Sequence, residues 1–453
     1  MAFLVNSAGL VTTGSTGADL FSVDSGAVAK STILGLAGND TIQFAAGIGT
    51  ATALSVDAAG DKDVISVASG SLSSSTIKGG AGADSINVAF TGYQASVLNG
   101  GNGNDTILFT GIGGVGGAIS ASTISLGEGV DAITLSGASF VKSTLAAGSG
   151  ADSVNLSLGN ASGSSVFGGG GADSITVSAS DGAVLINGDS TVNGGGADTI
   201  TFSGDFSAST INAKGGKDVI SVNTIQGTAS QVLGNAGADV INVSGDIAGS
   251  ANLIGGGSGA DTIILSGILD GNSSVKGGGG ADIITFESGA VSSQVFGGAG
   301  ADTITYSGAG GAFQIGFEAL TDSTLSKMDA VSGFGVAGTG AIFSVSAVTT
   351  TLTTGVVGGG TGFTGASLSV EGYVSGNAFT TAGTVTARAA LIDGQVTTKG
   401  GTVVFEAGSG TTLSNFLFIQ GGASGTADDL VVAIGTGEDV SIALASGAIT
   451  LAA

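Results

Sequence analysis

The stretch Gly79-Gly80-Ala81-Gly82-Ala83-Asp84-Ser85-Ile86-Asn87-Val88 is a phrase that the chain repeats. It returns as Gly100-Gly101-Asn102-Gly103-Asn104-Asp105-Thr106-Ile107-Leu108-Phe109 and as Gly297-Gly298-Ala299-Gly300-Ala301-Asp302-Thr303-Ile304-Thr305-Tyr306. The tail alternates, so Ile86 and Val88 fall on one face of an extended strand. The glycines suit a corner where the backbone takes positive φ and approaches a neighbour closely. Turn chemistry accounts for the glycines but not for the aspartate beside them.

Aligned on that aspartate, the chain holds fourteen copies: Asp19, Asp40, Asp63, Asp84, Asp105, Asp131, Asp152, Asp173, Asp198, Asp218, Asp239, Asp261, Asp282 and Asp302. The intervals are 21, 23, 21, 21, 26, 21, 21, 25, 20, 21, 22, 21 and 20 residues. Glycine stands two residues before the aspartate in every copy but one, where Asp61 replaces it. Two and four residues after it the side chain is always apolar, as in Ile42 and Phe44 or Ile241 and Val243. A second apolar position precedes the aspartate by seven residues in most copies, at Ile33, Val56, Ile77, Ile124, Leu145, Val166, Ile211, Val232, Val275 and Val295. It lies in short Ser/Thr-rich runs such as Ser75-Thr76-Ile77 and Ser209-Thr210-Ile211.

Each period therefore holds two short strands and two corners. One corner is the glycine-aspartate loop. The other is read as free to vary, and it absorbs insertions such as the one between Asp105 and Asp131. A strand pair that cannot close its own core stacks on its neighbours. The expected fold is all-β: a right-handed parallel β-roll or β-solenoid of about 14 coils of ~21 residues. At about 4.8 Å per coil the rod would be on the order of 65 Å long. The expected division is a solenoid over 1–306, a transition over 307–340 and a second β-rich domain over 341–453. Glu318–Met328 is the best helix candidate, Asp329–Phe334 reads as a closing strand, and Gly383–Arg388 reads as strand.

The chain has 453 residues with 88 glycines and no proline, cysteine, histidine or tryptophan. Its formal charge of −24 points to cations rather than nucleic acid as partners. Absence of cysteine and histidine removes disulfides, thiolate and Ser-His catalysis, and the usual ligands of zinc and copper. Hard, oxygen-binding cations remain. The start, Met1-Ala2-Phe3-Leu4-Val5-Asn6, lacks the basic and apolar regions of a secretory signal. No apolar run of about 18 residues suggests a membrane-spanning helix.

Stacking the coils puts the aspartates in a column. Neighbouring charges about 4.8 Å apart repel by on the order of 1 kcal/mol even in water, and by more in a drier corner. A hard divalent cation between coils would relieve this at neutral pH, using carboxylates and loop carbonyls. Solvated turn aspartates without metal are the alternative.

The phrase resembles the RTX (hemolysin-type) calcium repeat, G-G-x-G-x-D-x-U-x. The likeness covers about residues 12–306. It is strongest at Gly79–Val88, Gly100–Phe109, Gly168–Val177, Gly277–Phe286 and Gly297–Tyr306, and weaker at Gly17-Ala18-Asp19 and Gly60-Asp61-Lys62-Asp63. It implies multiple Ca²⁺ ions held between turns by the fourteen aspartates and by loop carbonyls such as Gly80, Gly82, Gly101, Gly103, Gly169, Gly171, Gly278, Gly280, Gly298 and Gly300. The family's unit usually occupies both corners of a coil; here it occupies one, which implies a single calcium column. The ending, from Gly401 through Phe416-Leu417-Phe418-Ile419 to Leu430-Val431-Val432, is similar to the C-terminal region of many RTX-like proteins, which carries an uncleaved type I secretion signal. An ordinary β cap is the alternative.

The favoured function is a calcium-dependent, self-assembling extracellular structural protein, a surface-layer or filament subunit of a bacterium. Bacterial and cyanobacterial S-layer-like proteins are the nearest analogy. The expected partner is the chain itself, head-to-tail or in a lattice, with a cell-surface polysaccharide as a further candidate. A secreted adhesin is the runner-up. No catalytic constellation stands out, so no enzyme is expected. Ice binding is disfavoured because Thr-x-Thr pairs follow the aspartate only at Thr199/Thr201 and Thr303/Thr305.

Overall fold

In a computed structural model the chain is a parallel β-solenoid of about 13 turns, with ~21 residues per turn, 62% strand and 3% helix. The structure describes residues 1–5, 7–23, 29–44, 49–68, 70–89, 91–110, 118–179, 182–190, 195–289, 293–307, 311–333, 339–345, 351–352, 367–368, 373–375, 384–393, 396, 401–409, 412–421, 428–434, 441–445 and 448–452. It divides into two compact units, Met1–Ala236 and Gly237–Ala453.

Within the first unit each strand after an aspartate pairs in parallel with the same strand of the next coil. Ser85–Val88 lies between Val64–Val67 and Thr106–Phe109, and Ile86 is in register with Ile65 and Ile107. The strands before the loop stack likewise: Ile77 matches Val56 and Leu98, and Gly80 matches Gly101. Alternation then fixes the core, because a one-residue slip would turn every apolar side chain outward. Ile77, Ile86 and Val88 are fully buried, as are Ile107, Ile124 and Ile175. Aromatic side chains pack inside as well: Tyr93, from the short strand Gly92–Gln94, meets Phe109 edge-on, their ring centres 6.1 Å apart.

The second unit continues this pattern, with Thr262–Leu269 stacked on Ile283–Gly289 and that strand on Thr303–Tyr306. Parallel stacking runs past Tyr306: Thr303 pairs with Ala330, and Gln294–Ala299 pairs with Gly311–Phe317, which pairs with Thr339–Val345. The stacking ends where C-terminal strands join. Leu430–Ala433 lies parallel to Asp329–Ser332, and Ala448–Ala452 lies antiparallel to Thr339–Val345.

Two local expectations are corrected. Glu318–Met328 is not an α-helix: Leu320–Asp322 forms one 3₁₀ turn, and Thr324 bridges Lys327. Asp322 Oδ2 accepts the amides of Glu318 and Ala319 at 2.8 Å, which closes the turn locally instead of letting a helix propagate. Conversely, Thr384–Arg388, read as strand, enters an α-helix, Val385–Asp393. Thr384 caps it, its Oγ1 accepting the Ala387 amide at 3.2 Å while its carbonyl accepts that of Arg388. Ala389 and Ile392 then pack on Val403, Phe405, Phe416, Phe418 and Val431. These residues belong to a three-stranded antiparallel arrangement of Gly401–Ser409, Thr412–Ile419 and Leu430–Ala433. Gly383, Phe334 and residues 422–427 of the expected C-terminal features lie outside the described residues.

Candidate metal centre

All fourteen motif aspartates are buried, none more than 4% exposed. They are not solvated turn residues. From Asp40 to Asp218 in the first unit, and from Asp261 to Asp302 in the second, each accepts a hydrogen bond from the backbone amide of its predecessor. The Asp63 amide donates to Asp84 Oδ1, Asp84 to Asp105 and Asp131 to Asp152, all at 2.8 Å. Asp105 donates to Asp131 at 2.7 Å. In the second unit Asp239, Asp261 and Asp282 donate to Asp261, Asp282 and Asp302, again at 2.8 Å. The uniform geometry follows from the stacking, since every coil presents the same donor to the same acceptor. At the start of the column, Oδ1 of Asp19 accepts from the Met1 ammonium.

The other oxygen is different. Oδ2 of Asp40, Asp63, Asp84, Asp105, Asp131, Asp152, Asp173, Asp198, Asp261, Asp282 and Asp302 is buried without a hydrogen-bond partner. It lies against the first glycine of the phrase. A Cβ on Gly79 would stand 2.5 Å from Asp84 Oδ2 and 2.6 Å from the carbonyl oxygen of Gly100, one coil on. Gly100, Gly168 and Gly277 have the same two neighbours, a carboxylate Oδ2 of their own coil and a carbonyl of the next. Close approach favours glycine at these places, while Ala58, Leu126, Ala147 and Ala213 hold the same register position in other coils. Gly80, with φ of 121°, is required by conformation as well. Two acceptors thus converge at these corners, and no hydrogen-bond donor reaches Oδ2 of the eleven aspartates named, whereas Asp19 Oδ2 accepts the amide and hydroxyl of Ser15.

The electrostatic consequence is direct. Burial pushes the carboxyls of Asp63, Asp105, Asp173, Asp198 and Asp282 up to about 7. The donated amide pulls each one back, and neighbouring carboxylates add to the rise. Asp40, Asp84, Asp131, Asp152, Asp261 and Asp302 move the same way, again mainly through burial. Asp19 moves down, because it bonds the chain's amino group.

The donor chemistry suits a hard cation: the eleven aspartates named each supply one unshared carboxylate oxygen, with carbonyl oxygens near it. A carbonyl of the next coil's first phrase position, as at Gly100, shares with Oδ2 the space that a Cβ on Gly79 would fill. The carbonyls of Gly80 and Gly82 instead face the α-carbons of Gly101 and Gly103 in the next coil. Among the described residues no three acidic side chains close around one point, so each coil offers carboxylate and backbone oxygen rather than an all-carboxylate cage.

Three features escaped the sequence reading. Asp329, assigned to a closing strand, is a further rung: it is buried and its Oδ1 accepts the Asp302 amide at 3.0 Å. Burial lifts its carboxyl to about 8. The glycines are missing before it, but Val331 keeps the apolar place two residues on. Asp189, also buried, occupies the place of a loop glycine, in register with Gly169. Its Oδ1 accepts the Gly196 amide at 3.2 Å.

The third feature is a serine column at the opposite corner. The amides of Ser75, Ser96, Ser122 and Ser143 donate to the hydroxyls of Ser96, Ser122, Ser143 and Ser164 at 3.0 to 3.2 Å. That corner varies in loop length yet keeps serine in most coils, with Leu54 and Val184 standing in the same place and donating through their amides to Ser75 and Ser209. The signal was available: serine stands nine residues before Asp84, Asp105, Asp131, Asp152, Asp173 and Asp218 alike.

No family model, no curated protein and no solved structure matches the chain. No helix among the described residues is long and apolar enough to cross a membrane.

Proposed function

We propose that the protein is a calcium-dependent, self-assembling structural subunit of an extracellular layer or filament, of the RTX type and exported from a bacterium by type I secretion. The observation that carries the calcium reading is the column of buried, unpartnered Oδ2 atoms. A buried acceptor without a donor costs about 1–3 kcal/mol, and more when charged. Repeated at the eleven aspartates named, that cost calls for a proton or a counter-charge. At neutral pH a divalent cation held by successive aspartates and corner carbonyls supplies it, and its binding free energy becomes folding free energy. The aspartates from Asp19 to Asp302, with Asp329, would hold the ions.

The structural role is supported by economy of construction. Most of the buried charges sit in one column, the repeats fill most of the chain, and the outward positions one and three places after each aspartate are uncharged. Electron microscopy of the purified protein tests this reading. Calcium should give sheets or filaments, and excess EGTA should disperse them. A stable monomer that binds insoluble polysaccharide in calcium would favour the adhesin reading, which the outward rows of Thr and Asn, such as Asn155 and Thr176, also suit.

A further inference from the structure

We infer that the flat outward face of the strands following the aspartates is a self-association surface, and that its partner is the same face of a second copy. The inference rests on the self-assembly reading and says which surface does the assembling.

The face is defined by the residues one and three places after each aspartate, which alternation turns away from the core. In Met1–Ala236 these positions run from Leu20 and Ser22 to Val219 and Ser221, and none carries a charge. The same positions of the second unit, from Val240 and Asn242 to Thr303 and Thr305, are also uncharged. Charged side chains collect instead at corners and loops, as with Asp61, Lys62, Glu128 and Lys142, and farther along two of these strands, at Asp205 and Glu287. The strands before the loop carry Asp57 and Lys78 on their outward face. The charge-free face also bears exposed large apolar side chains: Leu20, Val64, Val219, Ile264 and Ile283, each between 37% and 48% exposed.

Three arguments select a second copy. First, the chain carries a formal −24, so like molecules repel unless they meet where charge is absent. Second, both partners would present rows with one spacing, about 4.8 Å, so small side chains interdigitate as two sheets packed about 10 Å apart. Third, the area is sufficient. Ten strands of the first unit make a strip roughly 50 Å by 12 Å, or roughly 1,200 Å² over both partners, at the lower end for a specific interface. End-on addition is less available at the last parallel strands, because Leu430–Ala433 covers Asp329–Ser332.

The test places like charges on the face. Thr134 and Thr176 lie on it, in neighbouring parts of the first unit, and Thr123 and Thr144 lie on the outward side of the other sheet. Sedimentation velocity in calcium over a hundredfold concentration range should show the full-length protein associating. T134E/T176E should weaken association at least tenfold, while T123E/T144E and the neutral T134Q/T176Q should match the unmodified protein, all with unchanged circular dichroism. Equal weakening by both Glu pairs, or by neither, would overturn the face assignment while leaving self-assembly intact. A monomer at every concentration would remove the self-assembly reading and this inference with it. Sedimentation with an insoluble polysaccharide, lost only in T134E/T176E, would reassign the face to a glycan.

Discussion

At the glycine corner Asp131 accepts the Asp105 amide through Oδ1; at the opposite corner Ser122 accepts the Ser96 amide through Oγ. Both side chains are buried, and both bonds run from one coil to the next. The difference lies in what is left over. The Ser122 hydroxyl donates its proton to the Ser120 carbonyl at 2.9 Å, and Ser143 and Ser96 do the same to Val141 and Gln94. Serine has one donor to place and a carbonyl takes it. Ionised aspartate has a second acceptor and no donor, and Oδ2 stays unmatched beside a carbonyl. One corner is thus complete in neutral protein chemistry, whereas the other needs a proton or a cation.

The largest expected effect separates the two corners by pH and metal together. Between the usual carboxylate value near 3.8 and about 7, the folded aspartates keep protons that the unfolded chain has lost. The folded state then binds more protons, so stability falls as pH rises through that window and levels above it. In EGTA, thermal melting should therefore drop steadily from pH 4 to pH 8, and calcium should remove most of the drop. A flat profile in EGTA would mean that the column is compensated within the protein.

A smaller effect is expected from Gly79→Ala. Its new Cβ, 2.5 and 2.6 Å from the Asp84 carboxylate and the Gly100 carbonyl, must push one aside, and because Ala58, Ala147 and Ala213 fill the same place in other coils the cost should sit near the lower end of roughly 1–3 kcal/mol for overpacking. Calcium should recover little of it, because the cation's own oxygens have moved. Smaller again is Ser143→Ala. It strands the buried Ser122 amide and should cost about 1 kcal/mol, read as a lowered denaturant midpoint. That loss should be the same at pH 5 and pH 8, with or without calcium. A calcium-dependent loss at Ser143 would break the distinction between the corners.

Much of this was legible in the sequence, because a repeat writes its geometry many times over. The 21-residue period, the Ile86/Val88 alternation and the invariant aspartate placed strands, core and column. What was missed had weaker or contrary local signals. Asp329 lacks the glycines that advertise a rung, and only its stacking on Asp302 reveals it. The serine column was in view at Ser75-Thr76-Ile77, but serine is common in turns and its burial is a tertiary fact. Gly383–Arg388 reads as strand because Val385 and Thr386 favour strands, while the cap at Thr384 and the alanines that follow favour the helix Val385–Asp393. That Asp Oδ1 is used internally, and Oδ2 alone is free, depends on coil-to-coil register at the ångström level.

The central claim, that the aspartate column is completed by calcium, is tested most directly by converting three rungs to the amide. Asp84→Asn, Asp105→Asn and Asp152→Asn together keep the Oδ1 acceptors and place donors where the unmatched oxygens lie. Melting is then compared with the unmodified protein at pH 8. In EGTA the triple variant should melt higher, since buried charge is gone and the added N–H groups face carbonyls. In calcium it should melt lower, since ligands are gone. A variant that melts higher under both conditions would contradict the account, because the aspartates would then be buried charges that no cation compensates.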